Sequence, residues 1–162
     1  MEASKHSLIS NITEGGKEDY LAHNYATGYL INDPIKNFSI PGEGLRFAPY
    51  PDGIDGSTMQ FFAYFGKNKG GLYFCTYDGE YHRKWFNCVT NKYKLFEAAI
   101  MHGNEDIGPK KGMEVKYPTV VKLLEEGSWY EAADIYKEWA TKQEWCQKGI
   151  LADADENNKS KW

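Results

Sequence analysis

Residues 59–124 constrain this chain more than any other part of it. Five apolar runs with two-residue alternation, separated by short glycine and asparagine turns, lead straight into a capped amphipathic helix. A period of two belongs to strands and a period of 3.6 to helices, so the change of period marks where a sheet hands over to a helix. In residues 58–65, Met59, Phe61, Ala63 and Phe65 share one face and Gln60, Phe62 and Tyr64 the other. Both faces are mostly apolar, which predicts a strand covered on two sides. The turn from Gly66 to Gly71 leads to a second run at 72–77, and Asp78-Gly79 is a hairpin signal. A third run at 83–89 turns at Thr90-Asn91 and returns over 92–101. After a loop containing Gly103, Gly108, Pro109 and Gly112, residues 114–123 alternate once more. Pro118 has no amide to donate, so this last strand is expected at a sheet edge or at a bulge. The sum is an antiparallel meander, and the fold class is mainly β: a segment of an antiparallel β-sandwich with a C-terminal amphipathic α-helix.

The helix is expected over about 128–145. Ser128 and Glu131 have the spacing of a capping box, in which each side chain satisfies an amide left open by the first turn. Trp129, Ala132, Ala133, Tyr136, Trp139 and Ala140 recur at the three-and-four spacing of one buried stripe, while Asp134, Lys137 and Glu138 face solvent. Trp129, Tyr136 and Trp139 need a broad apolar surface, and the sheet is the candidate. From residue 147 the apolar pattern fades into a polar tail. Residues 1–146 are therefore expected to form one sandwich segment with its joining helix, and 147–162 a linker toward a following domain that is absent.

Upstream, short strands are expected at 7–12, 19–24 and 28–31, closed by the turn residues Asn32-Asp33-Pro34. Residues 37–56 carry Pro41, Gly42, Gly44, Pro49, Pro51, Gly53 and Gly56, and are expected to run as a long surface connection with little pairing.

Charge and cysteine usage narrow the functional classes. Nineteen basic against 23 acidic residues, a net charge of -4 without long blocks, leave no electrostatic footprint for nucleic acid. No apolar run reaches the length of a membrane span, and the first residues lack a signal-peptide core, so a soluble, cytoplasmic chain is the default expectation. Three cysteines are too few for a disulfide framework and none has zinc-ligand spacing. Cys75 and Cys88 read as buried thiols; lying on adjacent predicted strands, they leave one bridge open in an oxidising compartment.

No catalytic constellation is visible. His6, His23, His82 and His102 have no metal-ligand spacing and are expected on the surface or in hairpin loops. Asp153, Asp155 and Asn157 have the spacing of the first calcium-loop ligands, but Asn158 stands where the loop needs glycine, so a solvated acidic linker is the expectation. Glycoside hydrolysis needs two carboxyl groups, and nothing selects a pair among Asp78, Glu80, Glu97, Glu105 and Asp106. No cofactor is implied. Aromatic residues make up 15% of the chain, suiting both strand packing and the stacking of rings on sugars.

Three segments together resemble a known family. They are Asp19-Tyr20-Leu21 with residues 28–34, residues 57–64 with Gly71-Leu72-Tyr73-Phe74 and Tyr77-Asp78, and residues 127–133 with Tyr136, Trp139-Ala140, Gln143 and Trp145-Cys146. In order and content they resemble bacterial glycoside-hydrolase-like proteins of unknown function, in which a β-sandwich of galactose-mutarotase type precedes a (β/α)8 barrel. The resemblance implies that this chain is the later part of the sandwich with its joining helix, and that catalysis belongs to the barrel, at the C-terminal ends of its strands. No catalytic residue carries over. Where the family pattern commonly has histidine before the aspartate, this chain has Tyr77.

Two functions follow as expectations. The first is a non-catalytic sandwich segment supporting a barrel domain, with Trp129, Tyr136 and Trp139 packing domains together and residues 41–56 nearest a substrate. Such a segment exposes surface its partner would cover, and self-association is expected. The alternative is an independent carbohydrate-binding module using Tyr50, Tyr73, Tyr77, Tyr81 and Trp85 around the central hairpin. A self-contained enzyme built on Asp78 or Glu80 is the least favoured.

Overall fold

The computed structural model describes residues 5–38, 44–52, 54–103 and 114–147. Two antiparallel sheets pack face to face. The first holds β1 (Lys5–Ile9), β4 (Gly44–Tyr50), β7 (Lys84–Thr90) and β8 (Phe96–His102) in the order β1-β8-β7-β4. The second holds β2 (Asp19–Tyr25), β3 (Tyr29–Asn32), β5 (Ser57–Gly66), β6 (Gly70–Thr76) and β9 (Thr119–Leu124) in the order β3-β2-β5-β6-β9. A single turn of helix, α1 (Pro34–Asn37), follows β3, with Pro34 in the first turn, where a missing amide costs nothing.

The alternation of each strand decides what it buries. In β5, Phe62 and Tyr64 enter the core between the sheets with Leu21, Phe74, Phe86, Phe96 and Ile100. Phe61, Ala63 and Phe65 enter a second core on the opposite face, with Tyr73, Cys75 and Leu124. The helix α2 (Trp129–Ala140) closes that second core with Ala132, Tyr136 and Ala140. At β5 and β6 the second sheet is thus a middle layer covered on both sides, as the two-faced apolar pattern of β5 requires, while its edge strands β3 and β9 leave Tyr29, Leu30, Val121 and Leu123 exposed. Each fully buried large apolar side chain contributes about 1.5–3 kcal/mol. β7 and β8 bury every second residue only, and their outer residues Trp85, Asn87, Val89, Glu97, Ala99 and Met101 stay half-exposed.

All five strands expected between 59 and 124 are present, but they do not form one meander. The hairpin of β5 and β6 belongs to the second sheet, the hairpin of β7 and β8 to the first, and β9 returns to pair with β6. Asp78-Gly79 is therefore a crossover between sheets and not a hairpin turn. β9 begins just after Pro118 and lies at an edge. The Asn91 turn between β7 and β8 is fixed by the Asn91 side chain, which accepts the amides of Tyr93 (2.9 Å) and Leu95 (3.2 Å).

Residues 37–56, expected to pair little, contribute β4, which pairs with β7 through a register shift between Leu45 and Ala48. β4 is an edge strand, where Pro49 needs no ladder partner on its outer side. At Gly44 a Cβ would stand 2.1 Å from the Cys88 carbonyl oxygen, so only glycine permits the pairing. Cys75 and Cys88 lie in different sheets and different cores, and both are free thiols.

The helix is shorter than expected. Lys142 and Gln143 donate to the carbonyls three residues back, at 3.1 and 3.0 Å, and this tightening ends α2 before a short α3 (Glu144–Gln147). Ser128 caps the start, accepting the Glu131 amide at 3.2 Å. The Glu131 carboxylate does not return to Ser128; it gathers the amides of Glu125, Glu126 and Gly127 at 2.7, 3.0 and 3.2 Å, fixing the approach from β9. Trp129 leaves the predicted buried stripe: it sits at the first helical position and is 43% exposed. Among the described residues no helix is long and apolar enough to cross a membrane. Most of the tail expected at 147–162, together with the calcium-like spacing at Asp153, Asp155 and Asn157, lies outside the described residues.

Candidate functional site

The crossover at 77–83 carries a carboxylate into the end of the sandwich. Asp78 is 1% exposed, and Lys84, the first residue of β7, is 0% exposed. Local chemistry places the first. Asp78 Oδ1 accepts the Glu80 amide at 3.0 Å, an Asx turn, and Oδ2 accepts the His82 amide at 2.8 Å. Register places the second, because a strand that buries Phe86 and Cys88 must also bury Lys84. The Lys84 ammonium donates to Asp78 Oδ2 at 2.5 Å and to Gln60 Oε1 at 3.1 Å. It also stands 4.8 Å from the Tyr50 ring centre and 4.6 Å from that of Tyr117, and both faces attract a cation.

The network extends from this pair. Gln60 Nε2 donates to the Asp78 carbonyl at 2.8 Å, and the Thr76 hydroxyl to Gln60 Oε1 at 2.9 Å. His82 Nδ1 lies 3.0 Å from Asp78 Oδ1, with its ring stacked on Tyr117. The Tyr117 hydroxyl meets His102 Nδ1 at 3.0 Å, and His102 Nε2 meets Ser7 and Thr119 at 3.2 and 3.3 Å.

Counting acceptor sites shows what this arrangement does. An ionised carboxylate offers about four lone-pair sites. Glu80 and His82 Nδ1 occupy Oδ1; the His82 amide and Lys84 occupy Oδ2. Burial pushes the Asp78 carboxyl up, but the bonds from Lys84 and His82, the charge of Lys84 and the Glu80 amide outweigh it and hold the group below the usual range. With both oxygens saturated and the ammonium sealed between two rings, neither group can take a proton from a substrate or attack one without first breaking the pair. The arrangement ties the crossover to β5 and β7.

The remaining residues singled out in the sequence are dispersed. Tyr50 is buried as one wall of the Lys84 cage, and burial raises its hydroxyl pKa far above the usual value. Tyr73 is buried under α2, stacked on Phe61 at 5.7 Å. Tyr77 stacks on Trp139 at 5.1 Å, and Tyr81, 40% exposed, leans on Trp145 at 5.7 Å. Trp85 occupies the outer face of the first sheet, opposite in phase to Lys84. These five do not form one exposed platform, because strand alternation sends Tyr50 and Tyr73 inward and Trp85 to the other side. Tyr136 is buried against Phe61 at 5.0 Å, and Trp139 joins Tyr77, so both pack within this chain.

Two histidines expected at the surface are enclosed. His102 belongs to the network above. His23 stacks on Phe62 and meets Phe86 edge-on, and burial lowers its pKa to about 4, so its ring is neutral at pH 7. Its Nδ1 accepts the Tyr25 amide at 3.1 Å, which places the proton on Nε2. Among the carboxylates, Glu80 is exposed, Glu97 sits on the outer face of the first sheet, and Glu105 and Asp106 lie outside the described residues. Among the described residues no three His, Cys, Asp or Glu side chains converge on a metal position.

Sequence reasoning passed over Lys84, Gln60, Thr76 and Tyr117. Lys84 had a signal: it shares the inward phase of Phe86 and Cys88. Comparison of the chain with protein-family models, with curated proteins and with solved structures finds no match in any of the three.

Proposed function

We propose that this chain is a non-catalytic β-sandwich segment of a carbohydrate-active, glycoside-hydrolase-like protein, packing beside a barrel domain of its parent. The supporting observation is the asymmetry of cover. At β5 and β6 the second sheet has a core on each face, whereas the outer face of the first carries Leu8, Trp85, Val89, Ala99 and Met101 beside Asn87 and Glu97, with no third layer over them among the described residues. That face also holds a shallow cavity of about 320 Å³ lined by His6, Leu8, Asn87, Val89, Glu97, Ala99 and Met101. An open apolar sheet face of this kind is a surface for another protein layer. The saturated Asp78–Lys84 pair agrees with a supporting role.

Two assays test the reading. The chain should hydrolyse no aryl glycoside, and sedimentation velocity should show self-association at high concentration that Met101→Lys suppresses. Turnover of any glycoside by the chain would refute it, as would a strict monomer whose outer face resists hydrophobic dyes.

A further inference from the structure

The β2–β3 hairpin and the start of α2 border a groove of about 280 Å³, just below the roughly 300–1,000 Å³ typical of small-molecule sites. Its walls include Asn24, Tyr29, Leu30, Met59, Phe61 and Trp129. Tyr29, Leu30, Met59 and Trp129 are all exposed. No side chain bordering the groove carries a formal charge at pH 7, since His23 is neutral. An anion or a metal ion would find no counter-charge there.

His23, Asn24, Thr27 and the Tyr29 hydroxyl interrupt the apolar lining, and Asn24 is the one that offers a buried open acceptor. Asn24, 4% exposed, donates its Nδ2 to the Met59 carbonyl, and its Oδ1 has no hydrogen-bond partner. A buried acceptor left open costs about 1–3 kcal/mol, so a ligand that brings a donor gains what an alkane cannot. The required ligand is neutral, has a flat apolar face for an indole, and carries hydroxyl donors at its rim.

We infer that this groove binds a neutral pyranose ring, with the Trp129 face opposite the one that stacks on Tyr130 at 3.7 Å as the platform and Asn24 Oδ1 as the acceptor for a ring hydroxyl. Asn24 is 4% exposed, so binding requires the groove wall beside it to shift, and the unbranched, 38% exposed Met59 side chain that also borders the groove is the one we assign that movement. The inference deepens the carbohydrate-active reading, and it places sugar contact away from Tyr50, Tyr73, Tyr77, Tyr81 and Trp85.

The test is saturation-transfer NMR on the full chain with a panel of methyl glucopyranosides, methyl galactopyranosides and their neutral disaccharides at millimolar concentration. At least one is expected to bind, and Trp129→Ala should weaken it roughly tenfold, the effect of losing one aromatic contact of about 1.4 kcal/mol. Trp85→Ala should leave binding unchanged. Trp129 is exposed, so its variant folds, which circular dichroism checks. Binding lost in Trp85→Ala and kept in Trp129→Ala would overturn the groove while sparing the carbohydrate reading. No binding by any member of the panel would overturn the groove, and the parent-module reading would still be decided by the hydrolysis and self-association assays.

Discussion

Two regions of this sandwich bury polar side chains, and they do so in opposite ways. At the crossover between sheets, Asp78 and Lys84 are both charged and sealed, with two donors on each carboxylate oxygen. At the far end of β2, His23 and Asn24 are both neutral, and each retains a buried atom without a partner, Nε2 and Oδ1. The stronger charges are the less reactive ones here. Saturation makes the first region a strut, and incompleteness makes the second a candidate for a ligand.

The largest way to break this contrast is to remove one member of the charged pair. Lys84→Met should lower stability by about 3–5 kcal/mol, read by urea denaturation, because it leaves a carboxylate buried and unpaired. A loss below about 1 kcal/mol would mean that water reaches Asp78.

Acid comes next and separates the regions by pH. His23 has its folded pKa depressed to about 4, against roughly 6.5 in the unfolded chain. Its contribution is complete above about pH 6.5 and is lost as pH falls toward 4, amounting to about 3 kcal/mol. Asp78 is also depressed, so its contribution is present above the ordinary carboxylate range and lost at still lower pH. His23→Phe should flatten the stability profile between pH 7 and pH 4 and leave the more acidic limb in place. An unchanged profile would show that the His23 ring is not enclosed.

Smaller effects sharpen the picture of the groove. Asn24→Ala should cost about 1–2 kcal/mol through the lost bond to the Met59 carbonyl, offset in part by removal of the open Oδ1. Trp129→Ala should change stability by less than about 0.5 kcal/mol, as an exposed position does. A larger loss would return Trp129 to the helix core.

What the sequence disclosed follows from what alternation encodes. Period-two and three-and-four patterns assign faces, and the two-sided cover of β5 and the Ala132–Tyr136–Ala140 stripe were both legible. Alternation does not name neighbours. Asp78-Gly79 specifies a turn, and only the pairing of β6 with β9 and of β7 with β4 makes that turn a crossover. β4 was hidden by Pro49 and Gly44, residues that an edge strand tolerates and a central one does not. The strut was hidden because a single lysine in a strand reads as solvated unless its phase is set by Phe86 and Cys88. The groove could not be read at all, since it joins β2 and β3 to a helix about a hundred residues later.

The most direct test of the central claim is a double-mutant cycle on the buried pair, with Lys84→Met, Asp78→Leu and the double variant compared by urea denaturation. If the pair is a saturated strut, each single change costs about 3–5 kcal/mol and the double variant recovers most of that loss, because no charge remains buried. If the two losses simply add, Asp78 and Lys84 act independently, and the reading of this end of the sandwich as one closed unit is wrong.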